Sequence, residues 1–494
     1  MGVSVNNSQD GRLSASSRYA PTAEPIAPTV AEFAHGLAFA DLPVDVVENL
    51  RTRLLDTLGV SIAALDLDTS RAALTYVCGS GPAQAHAIGL SDPVPAAGAA
   101  FANGVLAHSL DYDDTHLPSV LHPSATLVPT VLAAAERFGA DDAKAMAALA
   151  AGIEICIRLG MAGYDPDSGD SVFFRHGQHA TSICGTVGGA VAAAVLAGLD
   201  PPGIASAVGL AASMASGVIE ANRSGGTVKR IHCGWAAQSA IRAAELSRAG
   251  FTGPPTVIEG RFGLLQAFLR DDSRPQTVVD GLGRDWLTRD LFVKPYPANH
   301  FLHAVIDAAD ALRRAGLCPT DVAEIVVLAP GPVIRTIGEP LAVKRAPQTG
   351  YQAQFSGPYA VTVGLLGGGG LGAARVDFSD TRVQDPVRRD IMAKVTVVED
   401  PECTRVYPHQ FPAAVRARTV DGRELVERVM YTRGGPERPL SPDELHRKFR
   451  DNVDGRLDPE ARDRIIAVVA RMGQDDPTIP GLMDDVGRAS VMPR

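Results

Sequence analysis

Between residues 94 and 249 the chain is dominated by stretches in which small apolar side chains cover nearly the whole circumference of a helix, and this leaves few folds open to it. Segments 124–138, 143–161 and 179–199 consist mostly of Ala, Gly, Val, Ile and Leu, and 94–110, 204–219 and 234–249 share their texture. A helix that is apolar on every side has to be surrounded by other helices. The sequence is 46% hydrophobic but only 5% aromatic, so its core has to be filled by helices in close approach rather than by rings. Segment 180–199 is long enough to span a bilayer. His179 at one end, Asp200-Pro201-Pro202 at the other and weakly hydrophobic Gly, Ala and Ser between them predict a buried helix instead.

The flanking segments complete the architecture. Asp41-Leu42-Pro43 reads as the start of a helix, with Asp41 as cap and Val46, Val47, Leu50, Leu54 and Leu58 on one face before Gly59. After about residue 291 the pattern changes to short β-branched runs at 324–328 and 394–398, and runs 415–420 and 423–429 flank the turn pair Asp421-Gly422. Gly367 to Gly370 lacks the strand–turn–helix setting of a nucleotide fingerprint and reads as a flexible lid loop. Helices resume at the capping box Ser441-Pro442-Asp443-Glu444 and at Asp458-Pro459, and are expected to pack back on the first domain. The predicted fold is mainly α, with a large all-helical domain and a smaller α+β lid. The expected divisions are a disordered polar tail (1–26), the helical domain (27–290), the lid (291–435) and returning helices (436–494).

Charge and cysteine usage exclude several functions. A net charge of −10 and a pI near 5.7 argue against a phosphate-backbone binder, which needs a surplus of Lys and Arg. The six cysteines are scattered without a C-x-x-C pair, so neither a disulfide framework nor a zinc site is expected, and a cytoplasmic location fits. The tail has no apolar run and does not read as a signal peptide.

Acids and bases cluster where the apolar stretches break. Asp111-Tyr112-Asp113-Asp114-Thr115-His116 leads to His122-Pro123-Ser124, and Lys229-Arg230-Ile231-His232-Cys233-Gly234-Trp235 precedes another helix. Desolvating such groups costs several kcal/mol unless each is paired, so chemistry explains them better than stability. The aspartates could be turn residues or, as D-x-D-D, a magnesium site for diphosphate, but no second Asp-rich segment completes such a cage. His122 and His179 could be core histidines bonded to backbone. Lys229 follows Gly225-Gly226-Thr227 and feeds a helix N-terminus, where backbone N–H groups favour an anion.

Five segments in one order carry a family resemblance: LDTLGVSIAAL from Leu55, FANGVLAHSLDYDDTHLPSVLHPSATLVP from Phe101, HATSICGTVGGAVAAA from His179, GGTVKRIHCGWAAQSAIRAAELSRAGFTGP from Gly225 and KPYPANHFLHAVIDA from Lys294. From about residue 30 to about 472 the chain resembles the MmgE/PrpD family, which includes 2-methylcitrate dehydratase, cis-aconitate decarboxylase and iminodisuccinate epimerase. The resemblance implies an all-helical domain with an α+β lid, a homodimer, and an interdomain site for polycarboxylates that uses neither metal nor cofactor. Carried over by motif, the site would contain Asp111, Thr115, His122, His179, Lys229, His232 and Lys294. Two departures stand out. The stretch from His116 to Leu121 is one residue longer than in the decarboxylase pattern, and where that pattern has a His after Pro-Ala this chain has Asn299 followed by His300.

The sequence thus predicts a cofactor-independent lyase for a small di- or tricarboxylate, first of all a dehydratase of a 2-methylcitrate-type hydroxy acid. Asp111, His122, His179 and Lys229 are the expected catalytic residues, with Asp111 orienting a histidine. Thr115, His232, Lys294, Asn299 and His300 are expected to bind substrate. Decarboxylation of a cis-aconitate-like acid and epimerisation next to a carboxylate use the same groups. A catalytically silent dimeric scaffold or carboxylate-binding protein is the alternative of another class. No nucleic acid or membrane partner is expected.

Overall fold

The computed structural model describes residues 25–221, 225–474 and 478–490. Of the expected tail, residues 1–24 lie outside the described residues, and Ile26 already opens the Ile26–Gly36 helix.

The Ala180–Leu196 helix, buried at every position, is the axis of the first domain. The Ser124–Phe138, Asp142–Met161, Pro201–Met214 and His232–Arg248 helices pack around it, and the Ala96–His108 helix lies against two of these. Glycine makes the close approach possible. A Cβ on Gly188 would sit 2.4 Å from the Gly152 carbonyl oxygen, and one on Gly234 would sit 2.4 Å from that of Phe101. Helices that cross at such contacts have no room for rings between them, which accounts for the aromatic-poor composition.

Four local expectations are corrected. Asp41 does not cap the helix that follows; it accepts the Ala38 N–H within a preceding 3-10 turn, and the Val44–Ala63 helix starts after Pro43. That helix also runs through Gly59, whose missing side chain leaves room for Phe449. The helix expected over 204–219 stops at Met214, because residues 217–219 leave it to bond with 177–179: Gly217 accepts from the His179 N–H and Ile219 donates to Gly177. The hairpin loop is also longer than the Asp421-Gly422 pair implies, since Thr419 N–H bonds to Arg423 and leaves three residues between them.

The lid holds a four-stranded sheet in the order Val395–Glu399, Val322–Ala329, Ala413–Thr419, Glu424–Val429, parallel at the first pairing and antiparallel at the others. The His303–Arg314 and Gly357–Leu366 helices pack on it and on each other around a separate core. The loop at 367–370 is tethered, with Gly369 N–H donating to Asp377.

After the lid the chain returns. The capping box forms at Ser441, and the Pro442–Val453 helix docks on Val44–Ala63, placing Leu445, Phe449 and Val453 in the first-domain core. Among the described residues no helix is long and apolar enough to cross a membrane.

Candidate active site

The Ala96–His108 helix ends just before the acidic segment, and Asp111 takes a left-handed backbone conformation at φ 52°. Asp tolerates this region better than most residues, and the turn sends successive carboxylates in different directions. Asp111 meets Lys294, with Nζ 3.1 Å from its Oδ1 and 2.9 Å from its own carbonyl oxygen. Asp113 meets His108 at 2.7 Å. Asp114 accepts from the Ser124 hydroxyl and backbone N–H. Three carboxylates with three separate partners do not make a diphosphate–magnesium cage.

Lys294 is far away in sequence and arrives through a two-residue antiparallel ladder, in which Thr115 faces Phe292 and His116 faces Leu291. The ladder also buries Thr115, whose hydroxyl has no hydrogen-bond partner among the described residues. Lys229 reaches Asp111 from the other side, at 4.0 Å, from a 3-10 turn leading into the His232–Arg248 helix. Burial alone would raise the Asp111 carboxyl, but the two ammonium groups hold it down at about 2. Burial disfavours the Lys229 charge, and Asp111 outweighs it to raise that group.

The histidines form a chain beside this ion pair. His122 places Nδ1 2.6 Å from the Asp114 carbonyl oxygen. A carbonyl only accepts, so Nδ1 carries the proton and Nε2 is left as the basic nitrogen. His179 is fixed by its backbone bond to Gly217, and its Nδ1 lies 3.1 Å from that of His232. The His108 ring stands 5.4 Å from both His122 and His179, and the His179 and His232 rings are 5.0 Å apart. Burial pushes His122 and His232 down to about 4, and His179 well below the usual imidazole range; nearby cations add to each effect. All three are therefore neutral near pH 7.

The structure thus brings Asp111, Thr115, His122, His179, Lys229, His232 and Lys294 into one connected group. It engages the other two residues differently. Asn299 caps a short turn by accepting the Phe301 N–H, and His300 is packed against Phe292, Phe411 and His303. The role of orienting a histidine, expected of Asp111, is corrected: Asp111 is held by lysines, and Asp113 makes the carboxylate–imidazole bond.

His108 and Asp113 went unassigned in the sequence, although both lie inside the second motif; their separation of five residues is the only local signal that they could meet. From the lid, Gln354 donates to the Leu110 and Pro297 carbonyls, and the nearby Tyr351 ring lies 5.3 Å from the Arg230 guanidinium, beside Lys229. A surface cavity of about 460 Å³ lined by Met214, Trp235 and Gln238 shares no residue with the cluster.

Fold and site together define a helix-bodied protein with an α+β lid and a buried set of neutral imidazoles beside paired ammonium groups. The chain belongs to the MmgE/PrpD family: residues 29–276 match the MmgE/PrpD N-terminal domain and residues 296–474 the C-terminal domain. It is 28% identical over 461 residues to cis-aconitate decarboxylase of Homo sapiens, covering 89% of this chain and 90% of that protein. It is 26% identical to cis-aconitate decarboxylase of Aspergillus terreus, covering 88% and 90%. It is 27% identical to 2-methylcitrate dehydratase of Cupriavidus necator, covering 85% and 88%.

Proposed function

We propose that this protein is a cofactor-independent lyase acting on a small di- or tricarboxylate, with dehydration of a 2-methylcitrate-type hydroxy acid as the first reading. The observation that carries it is the pairing of neutral, buried imidazoles with two lysines on one carboxylate. Lys229 and Lys294 supply N–H donors to substrate carboxylates and to the charge that builds as the adjacent carbon loses its proton. His122, with Nε2 unprotonated, takes that proton; the C–O bond breaks, the alkene forms, and the proton now on His122 passes to the departing hydroxide, which leaves as water, with the His179 ring N–H hydrogen-bonded to the leaving oxygen. The two histidines can exchange these roles. Thr115 and His232 orient the substrate, and His300 backs the Lys294 side from the lid.

Decarboxylation of a cis-aconitate-like acid is the second reading, favoured by the similarity to cis-aconitate decarboxylases over nearly nine-tenths of the chain. The substrate panel is therefore 2-methylcitrate, citrate and cis-aconitate, with alkene absorbance, released carbon dioxide and solvent-deuterium uptake as readouts. Water loss supports the first reading and carbon dioxide release the second; deuterium uptake without either marks an epimerase. Silence in all three assays, with saturable binding of a tricarboxylate, replaces the enzyme by a carboxylate-binding scaffold. The reading includes a cytoplasmic homodimer, tested by sedimentation of the purified protein and by fractionation.

A further inference from the structure

His108 and Asp113 have no part in the reaction above, yet they occupy its centre. His108 is the last residue of the Ala96–His108 helix, and its side chain is fully enclosed, as is nearly all of the Asp113 carboxylate 2.7 Å away. Its Nε2 is buried and finds no oxygen or nitrogen partner among the described residues. The ring lies between those of His122 and His179, at 5.4 Å from each. With Asp113 on Nδ1, the remaining nitrogen faces the Cys233 sulfur, and the ring stands beside two other imidazoles.

We propose that His108, held by Asp113, is a permanently charged positioning residue whose proximity adds to burial in holding His122 and His179 unprotonated, so that either can take the substrate's proton. The proposal rests on the lyase reading for its purpose, but not for its test. A helix C-terminus favours a cation, and a carboxylate in contact favours it further. Burial works against the His108 charge, but the Cys233 sulfur and the Asp113 carboxylate beside it prevail and raise it above the usual range. Other charged and titratable groups also surround the two rings. His122 faces Asp113 and Asp111, which favour its charge, and Lys294 and His108, which oppose it. His179 faces His108, Lys229, His232 and His122, all opposing. His108 is the one cation that both share at ring contact.

The experiment is a histidine-selective NMR titration of the whole protein from pH 4 to 9, with signals assigned from His108→Gln, His122→Gln and His179→Gln. In the wild type the His108 signal should remain that of an imidazolium through pH 8, while those of His122 and His179 stay neutral to below pH 5. In His108→Gln their midpoints should rise by about one to two pH units, and the acid limb of kcat/KM should move up with them. A wild-type His108 that is neutral between pH 6 and 8 overturns the proposal, as do unmoved midpoints in a folded His108→Gln. Should that variant not fold, the wild-type His108 signal decides alone. If the wild type turns over no substrate, the lyase reading fails while the titration still decides the charge of His108.

Discussion

Asp111, Asp113 and Asp114 stand within four positions of one another, and the left-handed turn at Asp111 directs them to Lys294, His108 and Ser124. A carboxylate this deep depends on its partner. Lys294→Met is expected to destabilise the protein by about 3–5 kcal/mol by urea unfolding, because it strips the nearest cation from a buried anion. Adding Asp111→Asn should recover most of that stability and none of the turnover. If the single variant is as stable as the wild type, Lys229 alone suffices for Asp111. The neutral histidines make a second prediction. An unfolded histidine protonates near 6.5 but His122 and His232 only near 4, so between those values the unfolded chain binds protons that the native one refuses. Their contribution is complete above pH 6.5 and is lost as pH falls toward 4, by up to about 1.4 kcal/mol per unit for each group. His108 acts in the opposite sense at higher pH, where the unfolded state gives up a proton that the fold retains. The urea midpoint should therefore fall between pH 6.5 and 5, and a level midpoint would contradict the burial of these rings. Residue types in breaks between apolar helices pointed to His122 and Lys229, and the family resemblance pointed to His179. Which aspartate takes the histidine was not, since it depends on one backbone torsion at Asp111.

At the level of elements, the site is assembled by helix crossings that glycine permits. Gly104 and Gly234 face each other where the Ala96–His108 and His232–Arg248 helices meet, and a Cβ on Gly104 would lie 2.7 Å from the Gly234 Cα. Gly234→Ala has to push against the Phe101 carbonyl rather than a side chain that can swing away. It should cost about 1–3 kcal/mol and lower turnover by moving the start of the helix that bears His232 and Cys233; an unchanged thermal midpoint would show that the crossing is looser than it looks. Helical periodicity announced these helices to within a few residues. It could not announce the ladder of Thr115-His116 with Leu291-Phe292, since two residues carry no period, nor the withdrawal of 217–219 from a helical pattern to hold His179. Both connections are long-range hydrogen bonds, and both decide where a functional side chain ends.

Across the whole molecule, the described residues form two large apolar cores, and a smaller cluster draws Leu117 together with Phe292 and Phe411. One core gathers residues from Ile26 to Val293 together with the helices beyond Leu445, and the other fills the lid. Lys448 shows what the return of the chain achieves: its ammonium lies 2.6 Å from Asp56 and 3.8 Å from the centre of the Tyr112 ring, directly behind the acidic turn. Burial lowers Lys448 despite Asp56, and burial raises Asp56 despite Lys448, so the pair depends on both partners. Lys448→Met is expected to cost about 3–5 kcal/mol and to weaken turnover, with Asp56→Leu in the same chain restoring stability. Equal stability of the single variant and the wild type would rule out this bond as a tie. The capping box at Ser441 made the returning helix readable; its docking partner was readable only as a direction, because nothing local pairs Lys448 with Asp56.

This return also sets an order of events during synthesis. When the ribosome has finished the Val44–Ala63 helix, more than 380 residues still separate it from Lys448 and Phe449, which will cover it. The nascent body must wait with an apolar seam and a carboxylate uncovered until the last helices emerge, a state in which holding chaperones are most useful and premature release most costly.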